Sequence, residues 1–225
     1  MPHLKKNTGG EILKHVKKDY SLIAQEFNRT RQAAWPEFSA FWRAIQRWNK
    51  KNVVKKLKFL DAGCGNGRLF AFFSPENIGY IGLDNNSELL KIACKKYPGA
   101  TFKLGEVQRL PFPPRSFDVV FCIAVFHHLP TQELRRKTLK EFRRVLLKGG
   151  LLAITVWNLH QKKYKKFIQK ETRCAWIPWG NTKSVRRFYY AFLPDELKTL
   201  LQESGFSSIQ KLPSRYNFAY LAVNS

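Results

Sequence analysis

Apolar positions along the chain follow two different periods. Between residues 11 and 28 they fall at Ile12, Leu13, Val16, Tyr20, Ile23, Ala24 and Phe27, close to the 3.6-residue repeat of a helix. Residues 29–34 read as a connection, and Pro36 suits the first turn of a second helix. There Phe38, Phe41, Trp42, Ile45 and Trp48 make one stripe, with Arg43, Arg47, Lys50 and Lys51 largely off it. Such a stripe reads as core rather than as a platform for stacking bases. Past residue 56 the pattern changes to short continuous apolar runs, at 57–61, 78–84, 100–104, 117–125 and 150–157. Helical patterns at 67–73, 87–97 and 131–146 lie between them, and Lys148-Gly149-Gly150 is expected to close the last of these helices. Near the end, 194–204 reads as a short amphipathic helix, followed by strands at 206–212 and 216–223 joined through Pro213-Ser214-Arg215. Alternating strands and helices predict an open α/β fold.

The turn after the first strand carries the strongest chemical signal. Phe59-Leu60-Asp61-Ala62-Gly63-Cys64-Gly65-Asn66-Gly67-Arg68 ends an apolar run in a carboxylate and then places glycine at every second position. Glycine lets the backbone turn tightly and lets a ligand lie against it. The spacing differs from the G-x-G-x-x-G of dinucleotide sites, and Asp61 would repel a pyrophosphate but hold a cationic amino acid. Asp84, at the end of the second strand, stands where a ribose diol is usually accepted. The third strand runs into Glu106-Val107, and the fourth through Ile123 into Phe126-His127-His128. Polar strand ends therefore gather on one edge of the sheet, where open α/β folds bind their ligands.

These positions resemble the class I S-adenosylmethionine-dependent methyltransferases of the type 11 kind. The match spans about residues 57–157 and rests on Asp61-x-Gly63-x-Gly65-x-Gly67, Asp84, Glu106-Val107 before Leu110-Pro111-Phe112, and Ser116-Phe117-Asp118. The resemblance implies a Rossmann-like, mostly parallel seven-stranded sheet with a C-terminal antiparallel hairpin, and S-adenosylmethionine as cofactor. It implies that Asp61 and the backbone at Gly63 and Gly65 hold the methionine part, with Cys64 and Asn66 in the same loop. Asp84, beside Asn85, would accept from the ribose, Glu106 and Val107 would meet the adenine, and Ile123 would line the floor. On this reading Asp84→Ala abolishes cofactor binding with the fold intact.

Composition bounds what else the chain does. No apolar run reaches the length of a membrane span, and no apolar block follows the first ten residues as a signal peptide would require. Cys64, Cys94, Cys122 and Cys174 lie far apart with no C-x-x-C, which fits reduced thiols in a cytoplasmic protein and no metal site. In the glycine loop, Cys64 reads as a small filler rather than a nucleophile.

Forty basic against 16 acidic residues leave a net charge of +24. Residues 1–58 hold +10 of it and 160–190 hold +8, so the excess flanks the cofactor module. Such flanks suit a polyanion, nucleic acid above all; an ordinary solvated surface is the other reading. The chain divides within a single domain, 1–225. It has a helical cap at 1–56, the cofactor core at 57–157, a basic and aromatic insertion at 158–192, and a C-terminal helix and hairpin at 193–225. The insertion interleaves Lys162, Lys163, Lys165, Lys166, Lys170 and Arg173 with Trp176, Trp179 and Phe188-Tyr189-Tyr190. That pattern suits single-stranded RNA, or else aromatics that anchor a loop.

The resemblance then narrows. Tyr20-x-x-Ile23-Ala24-x-x-Phe27-x-x-Thr30-Arg31-x-x-x-Trp35-Pro36, Ile177-Pro178-Trp179 and Arg187-Phe188-Tyr189-Tyr190-Ala191-Phe192 look like the tRNA wobble-uridine carboxymethyl methyltransferases. Tyr190 stands where that family has histidine, and Leu129 where it has tryptophan. The resemblance implies tRNA as substrate, with a small-molecule or lipid-precursor acceptor as the alternative. The family's eukaryotic members work with a small activator subunit, which makes such a subunit a candidate partner. A carboxylate acceptor is already ionised at neutral pH and needs no general base; an arginine would hold it by its fork, with Arg31, Arg186 and Arg187 as candidates. A hydroxyl or ring-nitrogen acceptor would instead need His127 or His128 to remove a proton.

Overall fold

In a computed structural model that describes residues 9–32, 35–73, 78–180 and 184–225, the chain builds nine strands around a central sheet. Seven of them pair in the order β3-β2-β1-β4-β5-β9-β8. They are β1 (Leu57–Ala62), β2 (Ile78–Asp84), β3 (Thr101–Leu104), β4 (Phe117–Ile123), β5 (Leu146–Trp157), β8 (Phe206–Leu212) and β9 (Asn217–Asn224). The first five are parallel, and β9 runs antiparallel to both β5 and β8. The remaining two, β6 (Cys174–Pro178) and β7 (Arg186–Tyr190), form a separate antiparallel ribbon inside the basic, aromatic segment. The seven-stranded expectation holds, and the ribbon is an addition to it.

The two faces of the sheet bury alternate residues, as the period of a strand requires. Phe59, Val119, Phe121, Leu151 and Ala153 pack against Phe38, Phe41, Ala44 and Ile45 of α3 (Pro36–Asn52). Leu60, Val120, Cys122, Leu152 and Ile154 face Leu139 and Phe142 of α5 (Gln132–Val145) and Leu197, Leu200 and Leu201 of the C-terminal helix (Glu196–Glu203). Strands covered on both sides read as continuous apolar runs rather than alternating ones, which is why β4 is buried throughout.

Several elements differ from the sequence pattern for local reasons. The helix expected over 11–28 is two, α1 (Gly9–Leu22) and α2 (Ala24–Thr30), broken at Ile23, whose φ of −103° and ψ of 6° leave the helical well. The break turns Phe27 toward the glycine loop. The helix expected at 67–73 is only a 3-10 turn at Phe70–Phe72. Gly67 has φ +75° and lies outside any right-handed helix. Lys148-Gly149-Gly150 does not close α5: that helix ends at Val145, and all three residues belong to the long β5. The β4 strand stops at Ile123 rather than residue 125, because Ala124 takes φ +58° and opens a 3-10 turn over Phe126–His128. The remaining helix after β2 is α4 (Ser87–Lys96). Part of the predicted 29–34 connection, residues 33 and 34, lies outside the described residues.

Candidate active site

The strand order reverses between β1 and β4, and the crevice at their C-terminal ends is where such folds bind ligands. Gly63, Gly65 and Gly67 leave β1 with φ of +88°, +55° and +75°, all in the left-handed region that glycine adopts without cost. Their surroundings differ. A Cβ on Gly63 would stand 2.2 Å from Val125 Cγ2, whereas one on Gly65 would meet only the Phe27 ring, at 3.6 Å across the cavity. Gly63 thus keeps the loop tight against the end of β4, and Gly65 is where a ligand can lie on bare backbone. The Cys64 side chain is buried, and burial raises its thiol pKa well above the ordinary value. Its sulfur lies over Gly82, where an added Cβ would stand 2.9 Å from it.

Asp84 fixes the loop. Its Oδ2 accepts from the Gly65 N–H at 2.8 Å and its Oδ1 from the Asn86 N–H at 2.9 Å. Burial raises the Asp84 pKa, opposed by these two bonds. Each carboxylate oxygen has a further lone pair, so both can still accept from a diol. Asn85 Nδ2 donates to Glu106 Oε2 at 3.1 Å and Gln108 Nε2 to the same oxygen at 3.2 Å. Glu106, Val107 and Ile123 line the same cavity as Asp61 and Asp84. Asn66 has another part to play: its Nδ2 donates to Asn28 Oδ1 at 2.9 Å and to the Arg31 carbonyl at 3.2 Å. It fastens the loop to the helical cap. Asn86, not foreseen, makes a parallel tie. Its Oδ1 caps α4 by accepting from the N–H groups of Glu88 and Leu89, while its Nδ2 donates to the Lys17 carbonyl and Ser21 Oγ of α1.

Asp61 is 3% exposed and accepts from the Tyr80 hydroxyl at 2.7 Å. Burial lifts its carboxyl to about 7, with Tyr80 and Arg68 opposing. Arg68 faces the same cavity with its guanidinium 4.3 Å over the Trp35 ring, and its buried Nη1 makes no hydrogen bond. Burial, with the nearby Arg31 charge, pulls Arg68 down to about 10. A carboxylate and an unsatisfied guanidinium in one pocket match the ammonium and carboxylate of an amino acid. Arg68 stood in the sequence directly after the third glycine, but its side-chain direction was not readable there.

Beyond Ile123 the cavity meets the two histidines. His128 has both ring nitrogens engaged: Nδ1 lies 2.6 Å from the Phe188 carbonyl, which can only accept, so it carries the proton. Nε2 then accepts from the Tyr20 hydroxyl at 2.9 Å. Burial lowers the His128 pKa to about 3. At His127, Nδ1 accepts from the Trp157 N–H at 3.1 Å, and burial drives the pKa well below its ordinary value. His127 therefore presents an N–H, and neither ring offers a free lone pair to the cavity. This arrangement does not suit the proton-removing role that the sequence left open for them.

Strand alternation separates the two arginines of β7. Arg186 is exposed, while Arg187 is 5% exposed and joins the cavity. Its guanidinium lies 4.6 Å from the Trp179 ring centre, 5.3 Å from Tyr189, 5.6 Å from Trp157 and 5.8 Å from Tyr20. Nη1 donates to the Tyr20 hydroxyl at 3.4 Å, whereas the buried Nε has no hydrogen-bond partner. Among the described residues no carboxylate is in ion-pair contact with Arg187; Asp19 acts on it at longer range. Arg31 also lies over the Trp179 ring, 5.2 Å from its centre. Arg31, Trp157 and Arg187 also line a second hollow with Tyr164, Pro178 and Trp179, so the crevice leads outward to the ribbon. Trp179 donates its Nε1–H to Glu26 Oε2 at 2.7 Å and is thereby held in place. Trp176, by contrast, packs on His15 and Phe188 as an anchor. Tyr190 turns the other way, donating to Glu196 Oε1 at 2.7 Å beneath Arg135. The histidine-to-tyrosine departure thus lies outside this cavity.

Comparison with known proteins agrees with this geometry. A methyltransferase domain family matches residues 60–154. A putative methyltransferase of Encephalitozoon cuniculi is 32% identical over 194 residues, covering 85% of this chain and 86% of that protein. A tRNA (carboxymethyluridine(34)-5-O)-methyltransferase of Schizosaccharomyces pombe is 27% identical, over 92% of this chain and 95% of its own length. A demethylmenaquinone methyltransferase of Thermotoga maritima is 28% identical, over 88% and 90%. The crystal structure of an S-adenosylmethionine-dependent methyltransferase from Clostridium acetobutylicum superposes with a TM-score of 0.71 at 15% identity, covering 91% of this chain and 98% of that one. With the glycine loop, the paired acidic strand ends and the sheet order, these matches place the chain among the class I S-adenosylmethionine-dependent methyltransferases.

Proposed function

We propose that this enzyme methylates a carboxylate carried on the side chain of the wobble uridine of tRNA. The observation that carries the proposal is Arg187, a buried cation at the head of the crevice with aromatic walls and no ion-paired carboxylate among the described residues. An unpaired buried charge is costly, and a guanidinium fork matches a planar carboxylate bidentately. Trp179, buried at 4% exposure, and Trp157, stacked on Tyr164 and Tyr189, hold the Arg187 guanidinium between aromatic walls beside the outer hollow. The S. pombe relative, a tRNA (carboxymethyluridine(34)-5-O)-methyltransferase, supports the same reading.

When bound, S-adenosylmethionine supplies a methyl group on a good leaving group. The chain's own work is binding and orientation. Asp61 and Arg68 are proposed to hold the ammonium and carboxylate of the methionine part, Gly65 to lie under it, and Asp84 to accept from the ribose. Glu106, oriented by Asn85 and Gln108, and Val107 would meet the adenine. Arg187, with Arg31 at the rim, would aim one acceptor oxygen down the crevice. Orientation of this kind can lower a barrier by up to about 7–11 kcal/mol. The neutral histidines, neither of which offers a free lone pair, suit an acceptor that arrives already deprotonated. Their part is to keep Tyr20, the ribbon and the end of β5 in register around Arg187. A cytoplasmic location belongs to the same proposal; among the described residues no helix is long and apolar enough to cross a membrane.

The test is incubation with labelled cofactor and tRNA from cells that lack this modification, followed by nucleoside mass spectrometry. Label in the wobble nucleoside supports the proposal, and turnover by the isolated chain would show that no activator subunit is required. The likeness to a demethylmenaquinone methyltransferase favours a second reading, a small acceptor. Label entering a quinol but no RNA would establish it.

A further inference from the structure

The basic residues set aside from the α3 stripe make a surface of their own. Arg43, Arg47, Lys50 and Lys51 follow one another at helical spacing on the exposed side of α3, and Lys55, Lys56 and Lys58 continue the run. All seven are exposed, and among the described residues none forms an ion pair. No acidic residue stands between Glu37 and Asp61, and both of those are buried. The basic run therefore has no acidic neighbour along its own stretch of chain, and the carboxylate that meets it from the sheet, Asp118, is buried and accepts from the Lys58 backbone N–H at 2.8 Å. Arg43, Arg47, Lys50 and Lys55 also line one shallow groove floored by Trp42, Val54 and Leu57. The Trp48 Nε1–H donates to the Gly149 carbonyl at 3.0 Å, which brings Lys148 beside the far end of the helix.

The direction of the helix gives this surface a purpose. Its first turn reaches the active-site cavity, where Trp35 and Phe38 are part of the wall. From there the helix, 17 residues long, carries the basic row away from the cavity: Arg43 stands about 10 Å along it and the row runs about 12 Å further to Lys51, at about 1.5 Å per residue. A row of cations leading away from a crevice over that length matches the spacing of successive phosphates, and Lys and Arg on such a row neutralise them with release of counterions. We propose that the exposed side of α3 is a phosphate track for the double-stranded stem of the RNA whose loop enters the crevice. The proposal rests on the tRNA reading above. In it the ribbon and Arg187 select the reacting nucleotide, and α3 supplies sequence-independent affinity and register. The trimmed acceptor alone would not need it.

The test compares the wild-type chain with Arg43→Gln/Arg47→Gln/Lys50→Gln. All three side chains are exposed and none touches the crevice, so thermal melting and S-adenosylhomocysteine binding serve as controls that should not move. Binding of unmodified bulk tRNA is measured across a range of salt. The account predicts that the plot of log affinity against log salt becomes shallower by about three, one for each cation removed, and that affinity falls roughly tenfold or more near 0.1 M salt. Methyl transfer to a short single-stranded anticodon-loop oligonucleotide bearing the carboxymethyl group should be unchanged within about twofold. Equal tRNA binding and an equal salt slope for the two proteins would overturn the track alone. A wild-type chain that binds no tRNA even at low salt would overturn the tRNA reading and the track together.

Discussion

Replacing Arg187 by methionine separates two consequences of one buried charge. The guanidinium lies among Tyr20, Trp157, Trp179 and Tyr189, and among the described residues it has no carboxylate in ion-pair contact. For stability, methionine keeps much of the volume and removes a desolvated cation, a change that is often neutral or favourable by about 1–4 kcal/mol. Against that stand the lost contacts with the rings, about 0.5–2 kcal/mol each where water is excluded, and the 3.4 Å bond to the Tyr20 hydroxyl. Summed over the four rings these contacts come to about 2–8 kcal/mol and offset or exceed the relief, so the melting temperature should fall by several degrees. For activity no relief offsets the loss. A carboxylate acceptor loses two charge-assisted hydrogen bonds, each worth about 1.5–3 kcal/mol, and kcat/KM should fall roughly 10²–10⁴-fold. Arg187→Lys keeps the charge without the fork and should recover only part of that loss. Initial rates of labelled methyl transfer to undermodified tRNA, with cofactor affinity from calorimetry as the control, check both. A folded Arg187→Met protein with intact cofactor binding and a loss smaller than about fivefold would refute the assignment.

Other expectations follow from the same geometry. Asp84→Ala should abolish cofactor binding, but the fold will not be untouched: the loss of two carboxylate bonds to Gly65 and Asn86 should lower stability by about 2–4 kcal/mol, whereas an unchanged melting curve would contradict the loop-holding role. Asp61 is raised to about 7 in the folded chain, so the folded state binds a proton that the unfolded state has released. Stability of the cofactor-free protein should therefore fall as pH rises from about 4 toward 7, by up to about 1.4 kcal/mol per unit, and level off above that. Asp61→Asn should flatten this slope in thermal melts, and cofactor binding near pH 6 should release protons in calorimetry; a slope unaffected by the substitution would count against the buried carboxyl. With His128 held near 3 and His127 also lowered, kcat should show no titration between about pH 6 and 8. A limb in that range that vanishes in His128→Asn would restore a general base.

What the sequence made legible was the chemistry with a backbone signature. Three glycines, each with positive φ, and carboxylates that end β1 and β2 are local features, and they located the cofactor crevice. The acceptor side depends on tertiary direction. Arg186 and Arg187 are neighbours in sequence, but only a strand places one outside and the other among four aromatic rings. The ribbon itself was hidden, because Cys174–Pro178 and Arg186–Tyr190 are short, and Lys and Arg around them read as a loop. The histidine pair drew attention as catalytic types, yet a carbonyl from Phe188 and a hydroxyl from Tyr20, respectively 60 and 108 residues away, decide the tautomer of His128, and the N–H of Trp157, 30 residues away, decides that of His127. The break at Ile23 sits within an unbroken helical period, and it is the packing of Phe27 over Gly65 that accompanies it.

The central claim is that the methyl group goes to a carboxylate. An ester is cleaved by mild alkali, whereas a methyl on a ring nitrogen, on carbon or on a ribose oxygen is not. Undermodified tRNA labelled by this enzyme with a radioactive methyl group, then treated with dilute base, should release its label as volatile methanol and leave carboxymethyluridine at the wobble position. Label that stays on the nucleoside through this treatment would contradict the account.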